Sequence, residues 1–427
     1  MELKKYKLGD LLQVTRGASL SGEYYATQGN YIRLTCGNFD YRNNCFKENQ
    51  SKDNIYYVGD FKEEFLLERG DIITPLTEQA IGLLGSTARI PESGKYIQSQ
   101  DIAKIDCNES LLDKDFAFYL ISSACVKKQL SAAAQQTKIR HTSPDKIKEC
   151  TVWIPSLDVQ KRIGRILTDI DNKIAINRQI NDNLESIAKQ LYDYWFVQFD
   201  FPNEEGKPYK ASGGAMVWNE KLKREIPQEW TAAKIKDVAQ TYSGGTPAST
   251  NSEYYDGGDI PWINSGELNN PIITSTTNYI TEEGLNNSSA KLYPQDTVLV
   301  ALYGATARKV GLLSFEACSN QAVCGVIPQN KIMTTYIRYY LSSLYEHFIT
   351  LSSGSARDNI SQDTIKNTIL PIPQGKILKE FSDAVAPVIS KIIANQKEME
   401  TLTKQRDELL PLLMNGQASV NYHLSAC

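Results

Sequence analysis

Residues 141–191 return at 359–409 at a constant offset of 218, with no gap across the whole stretch. Ser143, Asp145, Ile147, Lys148, Ile154, Pro155, Asn177, Leu184 and Leu191 recur as Ser361, Asp363, Ile365, Lys366, Ile372, Pro373, Asn395, Leu402 and Leu409. A repeat of this kind implies two similar units related by a pseudo-two-fold axis. It also suits a target with two separate halves. The 427 residues exceed what one hydrophobic core usually supports, so more than one domain is expected.

The repeat extends upstream with gaps. KLGDLLQVTRGAS at 7–19 matches KIKDVAQTYSGGT at 234–246, and YIRLTCGN at 31–38 matches PWINSGEL at 261–268. GSTAR at 85–89 matches GATAR at 304–308, and SQDIAKI at 99–105 matches NQAVCGV at 320–326. The gaps fall between blocks, as loop insertions on a shared scaffold would.

Each half divides in two. The first 150 residues are rich in Gly, Tyr, Thr and Asn with short β-branched runs, which reads as a mixed α+β domain. Residues 156–196 hold no proline and carry a heptad stripe: Ile163, Ile170, Asn177, Leu184 and Leu191. Ile166, Ile174, Ile180, Ile187 and Tyr194 fill the intermediate positions, which predicts a coiled-coil seam. The second copy gives Phe381, Val388, Asn395, Leu402 and Leu409, with Glu398 and Gln405 weakening the intermediate set. Pro387 lies well inside that stretch and is expected to kink the helix or delay its start. In an antiparallel pair only the midpoints of two such stripes meet, so Asn177 and Asn395 are expected to face each other and fix register. That register would set the distance between the two domains. Pro and Gly mark residues 200–230 as a linker, with Trp218 and Trp230 as its anchors.

Several chemistries are not indicated. The eight cysteines form no CxxC pair and have no metal-like spacing with the three histidines, so no metal site is expected and a cytoplasmic location is. No P-loop, nucleophile elbow or methyltransferase tetrapeptide occurs. Glu205-Gly206-Lys207 resembles the end of a nuclease signature but sits in the linker without a partner aspartate. No catalytic residue is therefore assigned.

What remains is recognition chemistry. The net charge is −4, yet residues 116–144 and 297–315 contain no acid and carry Lys127, Lys128, Lys138, Arg140, Arg308 and Lys309. The turn Ser243-Gly244-Gly245-Thr246-Pro247 offers N–H groups and hydroxyls to a phosphate oxygen, and equally suits a tight strand connection. Arg89, Arg308 and Arg357 carry the rigid donor fork that reads guanine edges or phosphates.

The chain resembles the specificity subunits of type I restriction–modification systems. The carriers are the linker WFVQFDFPNEEGKPYKASGGAMVWNEKLKREIPQEW at 195–230, with SGGTPAST at 243–250, IPWINSGEL at 260–268 and NQAVCGV at 320–326. SARDNISQDTIKNTILPIP at 355–373 and RDELLPLLMNGQASV at 406–420 complete the series. The resemblance implies two target-recognition domains, at 1–154 and 231–372. Two long antiparallel coiled-coil helical regions, at 155–200 and 373–427, would separate them, with a linker at 201–230. It also implies a chain that is not itself an enzyme. It would read a bipartite double-stranded DNA target and dock two modification subunits, with restriction subunits as further partners. S-adenosylmethionine, ATP and magnesium would belong to those partners, with no cofactor in this chain.

The DNA-contacting candidates are Arg16, Ser19, Arg33, Thr87, Arg89, Lys138 and Arg140 in the first half, and Gly244, Gly245, Thr246, Thr306, Arg308 and Arg357 in the second. Arg308, recurring as Arg89, is expected to matter more for methylation than Lys309. In the amino half, Arg16-Gly17-Ala18-Ser19 departs from the fuller glycine–threonine–proline turn. The alternatives are a coiled-coil scaffold that binds only proteins, and a free-standing methyltransferase or nuclease.

Overall fold

The structure is a computed structural model that describes residues 2–49, 53–78, 82–133, 140–352 and 359–418. The chain is α+β and forms two compact units, Met1–Ile174 with Thr401–Cys427, and Ala175–Glu400. These boundaries fall inside the two long helices, Leu157–Tyr192 and Gly375–Met414, so each helix contributes residues to both units.

The first unit is built on an antiparallel sheet in the order Ala88–Arg89, Ile72–Pro75, Ile102–Cys107, Leu12–Arg16. Alternating side chains leave it on opposite faces, as the pleat requires. Val14, Ile72 and Ile105 pack with helix Lys114–Ile121 and with Ile163 and Leu167 of the first long helix. Ile73, Ala88 and Ile102 pack on the other side against Leu34, Phe39 and Leu67 of a loop-rich layer. Both faces are covered, which is why these strands read as continuous apolar runs.

The second unit repeats the plan with five strands, Ala239–Ser243, Val323–Pro328, Val298–Ala301, Val310–Leu313 and Ile272–Ile273. Val298, Val300, Cys324 and Val326 face the helical layer. Leu299, Ala301, Leu313 and Val323 face Ile263, Leu268 and Tyr293. In each unit the opening strand pairs antiparallel with the strand that precedes a long helix: Lys4–Lys7 with Thr151–Ile154, and Thr231–Lys234 with Ile369–Ile372. Ser143 and Ser361 cap matching short helices by accepting the N–H of Lys146 and Thr364.

The long helices are antiparallel. Within the second unit Phe196 meets Phe381 at 4.8 Å between ring centroids, and further along Asn177 meets Glu398. The heptad stripe is buried or half-buried on both helices. The intermediate positions, however, lie one residue beyond most of those expected. Leu167, Ile174, Asn181, Ala188 and Trp195 are buried, whereas Ile180, Ile187 and Tyr194 are exposed. The second helix matches with Val385, Ile392, Met399, Arg406 and Leu413; Gln405 is exposed, and half-buried Glu398 borders the seam, where it accepts from Asn177.

The asparagines also depart from expectation. Asn177 and Asn395 are both buried, but not against each other: Asn177 donates to Glu398 at 2.8 Å and Asn395 to Asn181 at 2.9 Å. Each asparagine thus meets a residue three or four positions beyond its equivalent in the partner helix, not the equivalent itself. Pro387 neither delays nor ends the second helix, which starts at Gly375. Its ring sits on an exposed face, where the carbonyl that loses its donor, on exposed Asp383, borders water.

A π-helical turn, Asp193–Val197, closes the first long helix. The widened turn lets consecutive Trp195 and Phe196 both enter the core beside Tyr192 and Phe381. Of the expected linker anchors only Trp230 is buried, stacked on Phe201 at 5.4 Å; Trp218 is exposed. Among the described residues no helix is long and apolar enough to cross a membrane.

Candidate nucleic-acid interface

Strand direction decides which loops of the second unit meet. Ala239–Ser243 and Val298–Ala301 end, and Val310–Leu313 and Val323–Pro328 begin, at one end of the sheet. The turns at 243–247, 262–269, 304–309 and 319–321 are tied together there. Asn320 donates through Nδ2 to Asn264 at 2.9 Å, and Trp262 through Nε1 to the Gly245 carbonyl at 3.0 Å. Thr306 donates to the Ser265 carbonyl at 2.8 Å, and Lys309 to Asn269 at 2.6 Å. Thr246 hydrogen-bonds Gln321, and both side chains are exposed.

The glycine turn belongs to the scaffold. Gly244 N–H donates to the Val323 carbonyl at 3.0 Å and Gly245 N–H to the Ser319 carbonyl at 2.8 Å, so neither amide points to a phosphate. Both glycines are required by close approach: a Cβ on Gly244 would lie 2.2 Å from the Asn320 carbonyl oxygen, and one on Gly245 2.2 Å from the Ala290 nitrogen. The strand-connection reading of this turn is the one the structure supports.

The first unit repeats these bonds. Gly17 N–H donates to the Ile102 carbonyl at 3.2 Å and Ala18 N–H to the Gln98 carbonyl at 2.9 Å. Arg16 and Ser19 lie exposed at this end, and Arg16 Nε donates to the Gln100 carbonyl at 2.7 Å. Arg140 is held beside buried Glu78 at 3.6 Å, on the two-residue strand that pairs with Thr77–Glu78.

Other candidates are placed differently. Arg33 is buried, its guanidinium 3.8 Å from the Tyr25 ring centroid. Thr87 is fully buried and donates to the Phe118 carbonyl at 3.1 Å. Arg89 pairs with Asp115 at 2.8 Å over the Phe118 ring, bracing sheet to helix. Thr306 is buried, and so is Arg308, in a left-handed backbone conformation with φ of 71°. Sequence symmetry between GSTAR and GATAR therefore does not make a matched pair of reading arginines: one arginine lies in a strand and the other in a turn. Lys138 and Arg357 lie outside the described residues.

Of the described basic residues before Pro144, Lys128 is exposed and Lys127 is not. Lys127 is half-buried, and burial lowers its pKa. Beneath the loops of the second unit, burial raises the Glu267 carboxyl above its ordinary range. Bonds from the Asn264 N–H, Thr276 and Asn278 oppose that shift.

Sequence reasoning passed over Gln100 and Gln321. Both are exposed, both stand two residues before a central strand, and both were already aligned within SQDIAKI and NQAVCGV. An amide of this kind matches the adenine edge. Among the described residues no group of three or more His, Cys, Asp or Glu could hold a metal.

The family profile described as the type I restriction modification DNA specificity domain matches residues 1–186 and 227–404. The HindI specificity subunit of Haemophilus influenzae is 25% identical, over 75% of this chain and 81% of that subunit. The MjaIX specificity subunit of Methanocaldococcus jannaschii is 26% identical, over 79% of this chain and 78% of that subunit. The crystal structure of a type I restriction–modification S subunit from M. genitalium shares the fold. Its TM-score is 0.60 at 15% identity, covering 97% of this chain and 96% of that one.

Proposed function

The chain belongs to the type I restriction–modification DNA specificity family, and from that premise we propose that it reads a bipartite double-stranded DNA target and docks two modification subunits. The observation that carries this reading is the duplicated loop end of the two sheets. The bonds of Gly17 and Ala18 recur at Gly244 and Gly245, while the side chains displayed beside them differ. Duplicated scaffolds with different displays suit two half-sites of different sequence.

The chain itself performs no chemistry in this reading, and the reaction takes place on cytoplasmic partners. The modification subunits methylate adenine with bound S-adenosylmethionine. Restriction subunits, where present, bring ATP and magnesium. The protein's contribution is position: rigid loops over a sheet buried on both faces. A net charge of −4 offers little sequence-independent phosphate attraction, so the isolated chain binds DNA weakly and the complex binds it tightly.

Exchanging residues 1–150 for those of another family member, and mapping the methylated motif in a host genome, tests the reading. The expected result is a change in one half of the motif only. A change in both halves, or in neither, overturns it. A scaffold that binds only proteins would give no sequence-specific retention of DNA with the modification subunits present. A free-standing methyltransferase would act without them.

A further inference from the structure

Each unit contains a cavity, and the two are built from the same positions of the repeat. In the first unit a cavity of about 480 Å³ is floored by Leu410 and Met414 of the second long helix and walled by Leu120, Ser123, Ala124 and Trp153. In the second unit a cavity of about 750 Å³ is floored by Tyr192 and Phe196 and walled by Tyr340, Ser343, Leu344 and Pro371. Tyr192, Phe196 and Trp153 become Leu410, Met414 and Pro371 at the offset of 218. Leu120, Ser123 and Ala124 become Tyr340, Ser343 and Leu344 at an offset of 220, where FAFYLISS at 116–123 aligns with YIRYYLSS at 336–343.

The shared construction has a physical cause. In both units the end of a long helix, the short helix pair after the sheet and the closing strand converge without filling the corner. Both volumes lie within the range of sites that receive a bulky apolar group. Each rim carries an arginine. Lys221, Arg224 and His347 line the second cavity, and among the described residues no acid does. Arg42 lines the first, where the one acid, Asp407, is already paired with Arg406 at 2.8 Å.

We infer that these cavities are the two docking sites for a partner present in two copies. Each receives the same segment of a modification subunit, which inserts one large apolar side chain beside a carboxylate. The inference rests on the reading above that two modification subunits bind. The occupant follows from the cavities themselves: equal position in both units asks for one partner twice, the apolar floors ask for a hydrophobic anchor, and the arginines ask for an acid.

The experiment uses the full chain with purified modification subunit and reads stoichiometry by native mass spectrometry. Ala124→Trp fills the first cavity from an exposed position, and Ser343→Trp fills the second in the same way. Wild type takes up two subunits, each single variant one, and the double variant none, with circular dichroism and melting temperature unchanged.

Exposed Cys125, on the wall of the first cavity, supplies an independent readout. Its alkylation slows at least tenfold when wild type or Ser343→Trp is saturated with modification subunit. Should wild type bind fewer than two subunits, the reading of function fails with the inference. If wild type and the double variant both bind two while Cys125 still reacts at its free rate, docking lies elsewhere and the inference alone is overturned.

Discussion

Asn395 donates from Nδ2 to Oδ1 of Asn181 at 2.9 Å, and Asn181 donates in turn to the Ile392 carbonyl at 3.2 Å. Both side chains are buried in the helix seam of the second unit. A polar pair in such a seam costs stability relative to leucine and rejects slipped registers, because any slip leaves both amides unsatisfied.

The first prediction follows from that bond. Asn395→Leu alone strands the Asn181 oxygen and costs about 1–3 kcal/mol. Asn181→Leu with Asn395→Leu recovers most of that loss and loosens the register. Urea unfolding of the two single variants and the double variant checks it. Additive losses would show that the two side chains do not act as a pair.

An ion pair with one buried partner carries the second prediction. Arg338 is 1% exposed, and its guanidinium meets Glu185 of the first long helix at 2.7 Å beside Tyr339. Glu185→Ala leaves a buried positive charge without its partner and costs about 3–5 kcal/mol. Arg338→Met with Glu185→Met costs far less, because no charge is then stranded. Thermal unfolding of the variants separates these outcomes.

Glu267 gives a pH dependence. Burial raises its pKa in the folded chain, so the native state binds the proton more tightly than the unfolded chain does. The carboxyl therefore favours folding at acid pH, and that contribution is lost as pH rises from the ordinary value of 4.5 through the raised one. Glu267→Gln keeps an acceptor for Thr276 and Asn278 and removes the buried charge. The variant melts higher than wild type at pH 7, and the gap narrows as pH falls toward 4.5. A gap that is constant with pH would refute the assignment.

The burial of Arg308 leads us to expect a division of work with Lys309 that differs from the one the GSTAR and GATAR alignment suggests. Arg308 is buried in a left-handed turn, whereas Lys309 is half-exposed, its Nζ donating to Asn269 of the neighbouring turn. Arg308→Ala lowers the melting temperature and leaves the salt dependence of DNA binding by the complex unchanged. Lys309→Ala leaves stability within about 0.5 kcal/mol and reduces the salt slope by about 1.

The sequence carried the architecture because repetition and heptads are long-range signals. The 218 offset located both long helices, and the aligned blocks located both sheets. Finer placement failed where residue type and environment disagree. Ile180 and Ile187 are apolar yet exposed, while Asn181, Ala188 and Arg406 are small or polar yet buried, so apolar character alone places the seam one residue early. Candidate DNA contacts are less legible in the sequence for a similar reason. Arg33, Arg89 and Arg308 carry the chemistry of recognition but are held by Tyr25, by Asp115 and by the turn of the chain. Only the fold shows which side chains are left at the surface.

Gln100 and Gln321 are such side chains, and they carry the last prediction. Each is exposed beside the glycine turn of its own unit, and they are identical where the flanking displays differ. In the proposed bipartite reading, residues common to the two loop ends suit a feature that both half-sites share, and a glutamine amide pairs with the N6 and N7 edge of adenine. Loss of one such contact is worth about 1–3 kcal/mol, or roughly ten- to a hundredfold in discrimination. Gln321→Ala should relax the adenine requirement in one half of the methylated motif, and Gln100→Ala in the other, with the salt slope of binding unchanged. Genome-wide mapping of methylated adenine in cells carrying each variant reads both effects. A uniform loss of methylation with a shallower salt slope would assign these glutamines to the phosphate backbone instead.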